Sequence, residues 1–63
     1  MTQDIRFKIA RQVAGLTQLR LAEIVGVKEH IITRIETGRE RPSPATAEKI
    51  ANALGKRPFE IGI

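Results

Sequence analysis

The 63-residue sequence predicts an all-α fold, a compact bundle of four to five short helices. Three observations carry that expectation. Apolar residues recur three and four apart in several successive segments, the spacing that lines one face of a helix. Each segment runs up to a glycine, at Gly15, Gly26, Gly38 and Gly55. Hydroxyl residues stand where helices would begin, most clearly Thr17 and the pair Ser43-Pro44.

The first helix is expected from Thr2 or Asp4, either of which can cap it, to Ala14. It has two apolar stripes on nearly opposite sides. Phe7, Ala10 and Ala14 form one; Ile5, Ile9 and Val13, spaced four apart at about 100° per residue, form the other. A helix apolar on both sides needs covering on both, the second cover being either the C-terminal segment or another molecule. Thr17 caps a second helix from Gln18 to Val25 that buries Leu21, Ala22 and Val25. Gly26 ends it in a sharp turn, which a residue without Cβ makes cheaply at positive φ. A third helix, Lys28 to Thr37, places Ile31, Ile32 and Ile35 inward and stops at Gly38. Two short helices joined by so tight a corner must cross steeply, and the small Ala22 permits the close approach. The polar loop Arg39-Glu40-Arg41-Pro42 leads to Ser43-Pro44, the start of a fourth helix that runs to Leu54 and buries Ala47, Ile50, Ala51 and Leu54. Only one turn remains after Gly55, in which Phe59 and Ile61 are expected to fold back as a lid on the core.

Size and composition narrow the functions available. The chain reads as one domain, residues 1–63, and its methionine start fits a whole gene product. A chain this short buries about 60% of its unfolded surface, for a stability of roughly 3–9 kcal/mol. A large enclosed active site does not fit. With no cysteine and one histidine, His30, neither a disulfide framework nor a metal-ligand set is expected; catalytic residues, metal and cofactor are each read as none, and an enzyme is rejected. No apolar run approaches the ~20 residues of a membrane span, so the expected location is cytoplasmic. Eleven Lys and Arg against seven Asp and Glu give a net charge of +4, the sign suited to a polyanionic partner.

The joint spacing of Gln18, Leu21-Ala22, Gly26-Val27, Ile32, Ile35-Glu36 and Gly38, with Pro42-Ser43 beyond, resembles the helix-turn-helix of the lambda-repressor-like, or XRE-type, DNA-binding domains. The resemblance runs from about residue 7 to 61, with the helix-turn-helix at 18–37. It implies a lambda-repressor-like bundle in which Phe7, Ala10 and Ala14 face the core. It also implies that Arg11 pairs with Glu36 to fix the first helix against the third, a structural role.

On the third helix, projection at 100° per residue leaves His30, Thr33, Arg34 and Thr37 outward, with Glu29 on the flank. Matching to the family nominates Glu29, His30, Thr33 and Arg34 as base-facing. Arg34 suits guanine, since its fork donates to O6 and N7 together, and His30 offers a ring N–H to guanine N7 or to a phosphate. Glu29 would be repelled by phosphates unless it accepts from cytosine N4, and its position favours helix stabilisation through the dipole over base reading. Gln18, Lys28, Thr37, Arg39 and Arg41 are the expected phosphate contacts. Lys28 departs from the family's usual Ser or Thr cap, because an ammonium cannot accept from the free amides.

Leu19 and Ile24 are a second departure, apolar where relatives are mostly polar. With Ile5, Ile9 and Val13 they form an expected dimer or partner surface. The function expected is sequence-specific binding of double-stranded DNA by a recognition helix in the major groove, in a transcriptional regulator that represses as a homodimer on a palindromic operator. The alternative is a protein-interaction module or antitoxin-like partner built on the same fold.

Overall fold

The Thr17 hydroxyl accepts from the Arg20 amide at 3.0 Å, and α2 (Gln18–Val25) begins there. Its end is set by Gly26 at φ 86°, with the amides of Gly26 and Val27 both donating to the Ala22 carbonyl at 2.8 and 3.0 Å. A side chain at that φ would be strained even though the space around it is open. α3 (Glu29–Glu36) follows α2 after three residues, Gly26, Val27 and Lys28. Its first turn receives no side-chain cap from Lys28. The Ser43 hydroxyl accepts from the Thr46 amide at 3.3 Å and Pro44 occupies the first position of α4 (Pro44–Leu54), the start its sequence implies. The structure, a computed structural model, describes residues 4–63, and the Thr2 cap considered above lies outside them.

α1 (Arg6–Val13) is shorter than expected at both ends. Asp4 still serves its start, because its Oδ1 accepts from the Arg6 amide at 3.0 Å. Ala14, expected inside, is exposed at the C-cap, since the chain turns away there before its face reaches the core. The chain closes with a 3-10 turn, Pro58–Ile61.

α2 packs against both α3 and α4, and the terminal turn packs against α4 and α1. Between them lies an aliphatic core of Leu21, Ala22, Val25, Ile32, Ile35, Ile50, Ala51, Leu54 and Ile61, with Phe7 entering from α1. Ile31 and Ala10 lie at its edge, half-buried. Ile61 is the lid. Phe59 is not; its side chain is 68% exposed. The cause is the tighter helix. With about three residues per turn, Pro58 and Ile61 share a face and Phe59 is rotated about a third of a turn away.

The terminal turn also leaves the second stripe of α1 uncovered. Ile5, Ile9 and Val13 are exposed, Val13 most of all at 82%. Ile9 and Val13 form one wall of an open groove of about 310 Å³ whose floor includes Ala10, Leu54 and Ile61.

Arg6 clasps the two ends of the described chain. Its guanidinium donates to Asp4 at 2.7 Å and to the Phe59 carbonyl at 3.3 Å. The guanidinium bonds to Asp4, and the bond from the Arg6 amide, hold the Asp4 carboxyl at about 2, below its ordinary 3.8. A depressed carboxyl contributes stability above its unfolded value and loses it as pH falls through the folded one. Asp4→Asn is therefore expected to lower the thermal midpoint at pH 7, and the gap to the unsubstituted chain should close between about pH 4 and pH 2. A gap that persists unchanged at pH 2 would show that the carboxylate charge is not its source.

Candidate nucleic-acid interface

Two faces of α3 are chemically distinct because Ile32 and Ile35 are taken up by the core. The remaining face turns outward. Glu29, His30, Arg34 and Thr37 are exposed and Thr33 is half-buried. These five, joined by Arg39 from the following loop, line one shallow concavity of about 460 Å³. All four nominated base-facing residues thus stand together, with two of the nominated phosphate contacts beside them.

Hydrogen bonds set how these side chains present themselves. The amides of Arg39 and Glu40 both donate to the Arg34 carbonyl, at 2.8 and 3.2 Å, folding the loop back over the end of α3. That return brings Glu40 Oε1 to 3.8 Å from Arg34 Nη1. Both side chains are well exposed, so this contact is a weak, screened restraint on the guanidinium. Thr37 donates its hydroxyl hydrogen to the Thr33 carbonyl at 2.8 Å, within its own helix. Thr33 donates to Gln18 Oε1 at 3.0 Å, reaching across the corner to α2.

The other nominated residues are placed around this face. Gln18 lines a second groove with Lys8, Ile5 and Thr37, between the starts of α1 and α2 and the end of α3. Lys28, just before α3, is exposed. Arg41 is exposed but stands apart from the concavity, in a separate groove with Arg6, Glu40 and Pro42. Leu19 and Ile24 are exposed on α2 at 53% and 50%.

Arg11 and Glu36 are the buried charged pair of the fold. Arg11 Nε and Nη2 donate to the two carboxylate oxygens of Glu36 at 2.9 and 3.1 Å, and Nη1 donates to the Leu16 carbonyl at 2.7 Å. One guanidinium thereby ties α1, the segment before α2, and the end of α3. A bidentate, hydrogen-bonded arrangement of this kind is the geometry in which burial of two charges is tolerated.

Sequence reasoning missed two contacts at this site, Arg34 with Glu40 and Thr33 with Gln18. Neither follows a helical period. The first depends on the loop folding back over the end of α3 and the second on the crossing of α2 and α3.

A fold of short helices with one helix projecting a polar face beside a tight glycine corner defines a helix-turn-helix protein. The chain belongs to the helix-turn-helix family of the lambda-repressor-like, XRE type, whose helix-turn-helix family profile matches residues 7–61. It is 48% identical over 50 residues to an uncharacterized HTH-type transcriptional regulator of Methanothermobacter thermautotrophicus, a match covering 79% of this chain and 72% of that protein. It is 40% identical over 55 residues to the immunity repressor protein of Bacillus phage phi105, covering 87% of this chain but 38% of the repressor. Among solved structures, the restriction-modification controller protein C.AhdI from Aeromonas hydrophila superposes with a TM-score of 0.80 at 30% identity, covering 89% of this chain and 85% of that one. The family is one of DNA-binding regulators of transcription.

Proposed function

We propose that the chain binds duplex DNA sequence-specifically through α3 in the major groove and acts as a transcriptional repressor, as a homodimer on a palindromic operator. The observation that carries this reading is the convergence of Glu29, His30, Thr33, Arg34, Thr37 and Arg39 on one outward concavity while the apolar side of the same helix is held in the core. A helix with its side chains is about 10–12 Å across and the major groove about 12 Å wide, so a projecting helix fits it. The names of the relatives, a transcriptional regulator and an immunity repressor, support the same direction.

Arg34 is the principal base reader, with its fork directed to guanine; entry into the groove exchanges the weak Glu40 contact for base-edge acceptors. His30 supports it. Glu29 serves chiefly to favour the N-terminus of α3. Gln18, Lys28, Thr37, Arg39 and Arg41 meet phosphates, Thr37 by giving up its intrahelical bond. The exposed Ile5, Ile9 and Val13, with Leu19 and Ile24, supply apolar surface for a second copy.

Binding is measured first against salt. Log affinity should fall linearly with log salt, with a slope of about −0.9 per phosphate contact. Arg34→Ala should cost about 1–3 kcal/mol on a duplex selected from a random pool and relax preference at one base pair. Arg41→Ala should weaken selected and random duplexes equally and make the salt slope about one contact shallower. Absence of duplex binding at low salt would reject the reading in favour of a protein-interaction scaffold.

A further inference from the structure

Thr33 occupies an outward position on α3, yet its hydroxyl is committed to the neighbouring helix. Its one hydrogen has two acceptors in reach, Gln18 Oε1 at 3.0 Å and the Glu29 carbonyl at 3.3 Å. The shorter bond is the one to Gln18. That choice has a chemical consequence for the carboxamide. A phosphate only accepts hydrogen bonds, so Gln18 can hold one only through its N–H groups, an orientation that a donor on its oxygen fixes in advance. The Thr33 hydroxyl is that donor. Gln18 meanwhile lines the groove between α1 and α3 that Lys8 also borders, where the ammonium would assist the same anion; the groove's two carboxylates, Asp4 and Glu36, are bonded to Arg6 and Arg11.

We propose that Thr33 is a positioning residue, not a base reader: it orients the Gln18 carboxamide so that its N–H groups face a backbone phosphate. This rests on the DNA-binding reading above and deepens it, because it couples the phosphate anchor on α2 to the helix that reads bases. When a phosphate is bound, the N–H to anion bond is charge-assisted and about twice as strong as a neutral one, which reinforces the orientation the threonine sets. A bound backbone and the register of α3 are thereby linked through one hydroxyl.

The test compares Thr33→Val, which keeps the shape and removes the hydroxyl, with Thr33→Ser, which keeps the hydroxyl, on a selected and on a random duplex. Thermal melts establish that each variant is folded. Thr33→Val should weaken both duplexes by the same factor, about threefold to tenfold for one hydrogen bond, and Thr33→Ser should retain the original affinity. In a Gln18→Ala background, Thr33→Val should cost nothing more. In the protein without DNA, Thr33→Val should shift the side-chain amide proton resonances of Gln18, which a purely packing role would not move. A change of preference at one base pair, or a loss that adds in full to that of Gln18→Ala, would overturn the positioning role while leaving DNA binding intact. If the unsubstituted chain binds no duplex at low salt, the DNA-binding reading fails, and this inference with it.

Discussion

Arg11→Met is expected to destabilise the fold by about 3–5 kcal/mol, the cost of taking the guanidinium away from a buried carboxylate. Glu36 is 7% exposed, and the substitution strips its carboxylate of two guanidinium hydrogen bonds at 2.9 and 3.1 Å. It also takes away the donor to the Leu16 carbonyl. Against a total stability of roughly 3–9 kcal/mol for a chain of this length, that loss removes at least about a third of the whole. Replacing both partners by methionine should recover most of the loss, because apolar side chains of similar volume leave no stranded charge. Urea unfolding of the two single variants and the double variant measures this. If the double variant is as unstable as the sum of the singles, the pair contributes by something other than mutual neutralisation. DNA binding by the single variants should fall only with the folded fraction, since neither side chain lies on the outward face of α3.

Ile32→Ala should cost about 2–5 kcal/mol. Ile32 is 0% exposed and is one of only three buried residues of α3, with Ile35 and Glu36, so the helix depends on few anchors. Removing most of that side chain forfeits its burial and leaves a cavity that the short helices around it can only partly close. Ile32→Val should cost about 0.5–1.5 kcal/mol, as expected for one methylene. The half-buried Ile31 provides the control. Ile31→Ala should cost clearly less than Ile32→Ala in the same urea titration, and equal losses would contradict the inward placement of Ile32. Both variants should keep their preference among duplexes while their apparent affinity tracks the folded population.

Much of this architecture is local and therefore legible along the chain. Thr17 and Gly26 bound α2 where a hydroxyl acceptor and a positive φ are each needed, and Ser43-Pro44 starts α4 for the same kind of reason. The errors fall where local rules give way. Ala14 has the right spacing for the buried stripe of α1 but sits past the last turn that touches the core. Phe59 is apolar and close to the core in sequence, yet a 3-10 turn rotates it outward and gives the buried position to Ile61. The outward residues of α3 were legible because the inward ones are three isoleucines at helical spacing. Their partners were not.

By itself the sequence determined where α2 and α4 start and stop and which side of α3 is apolar, because caps, glycine turns and hydrophobic period act over three or four residues. Only the tertiary structure decided that Glu40 restrains Arg34, that Thr33 is bonded to Gln18, and that Ile5, Ile9 and Val13 stay uncovered. Those outcomes depend on the return of the loop over the end of α3, on the angle at which α2 crosses α3 and on where the terminal turn comes to rest, none of which a helical period encodes.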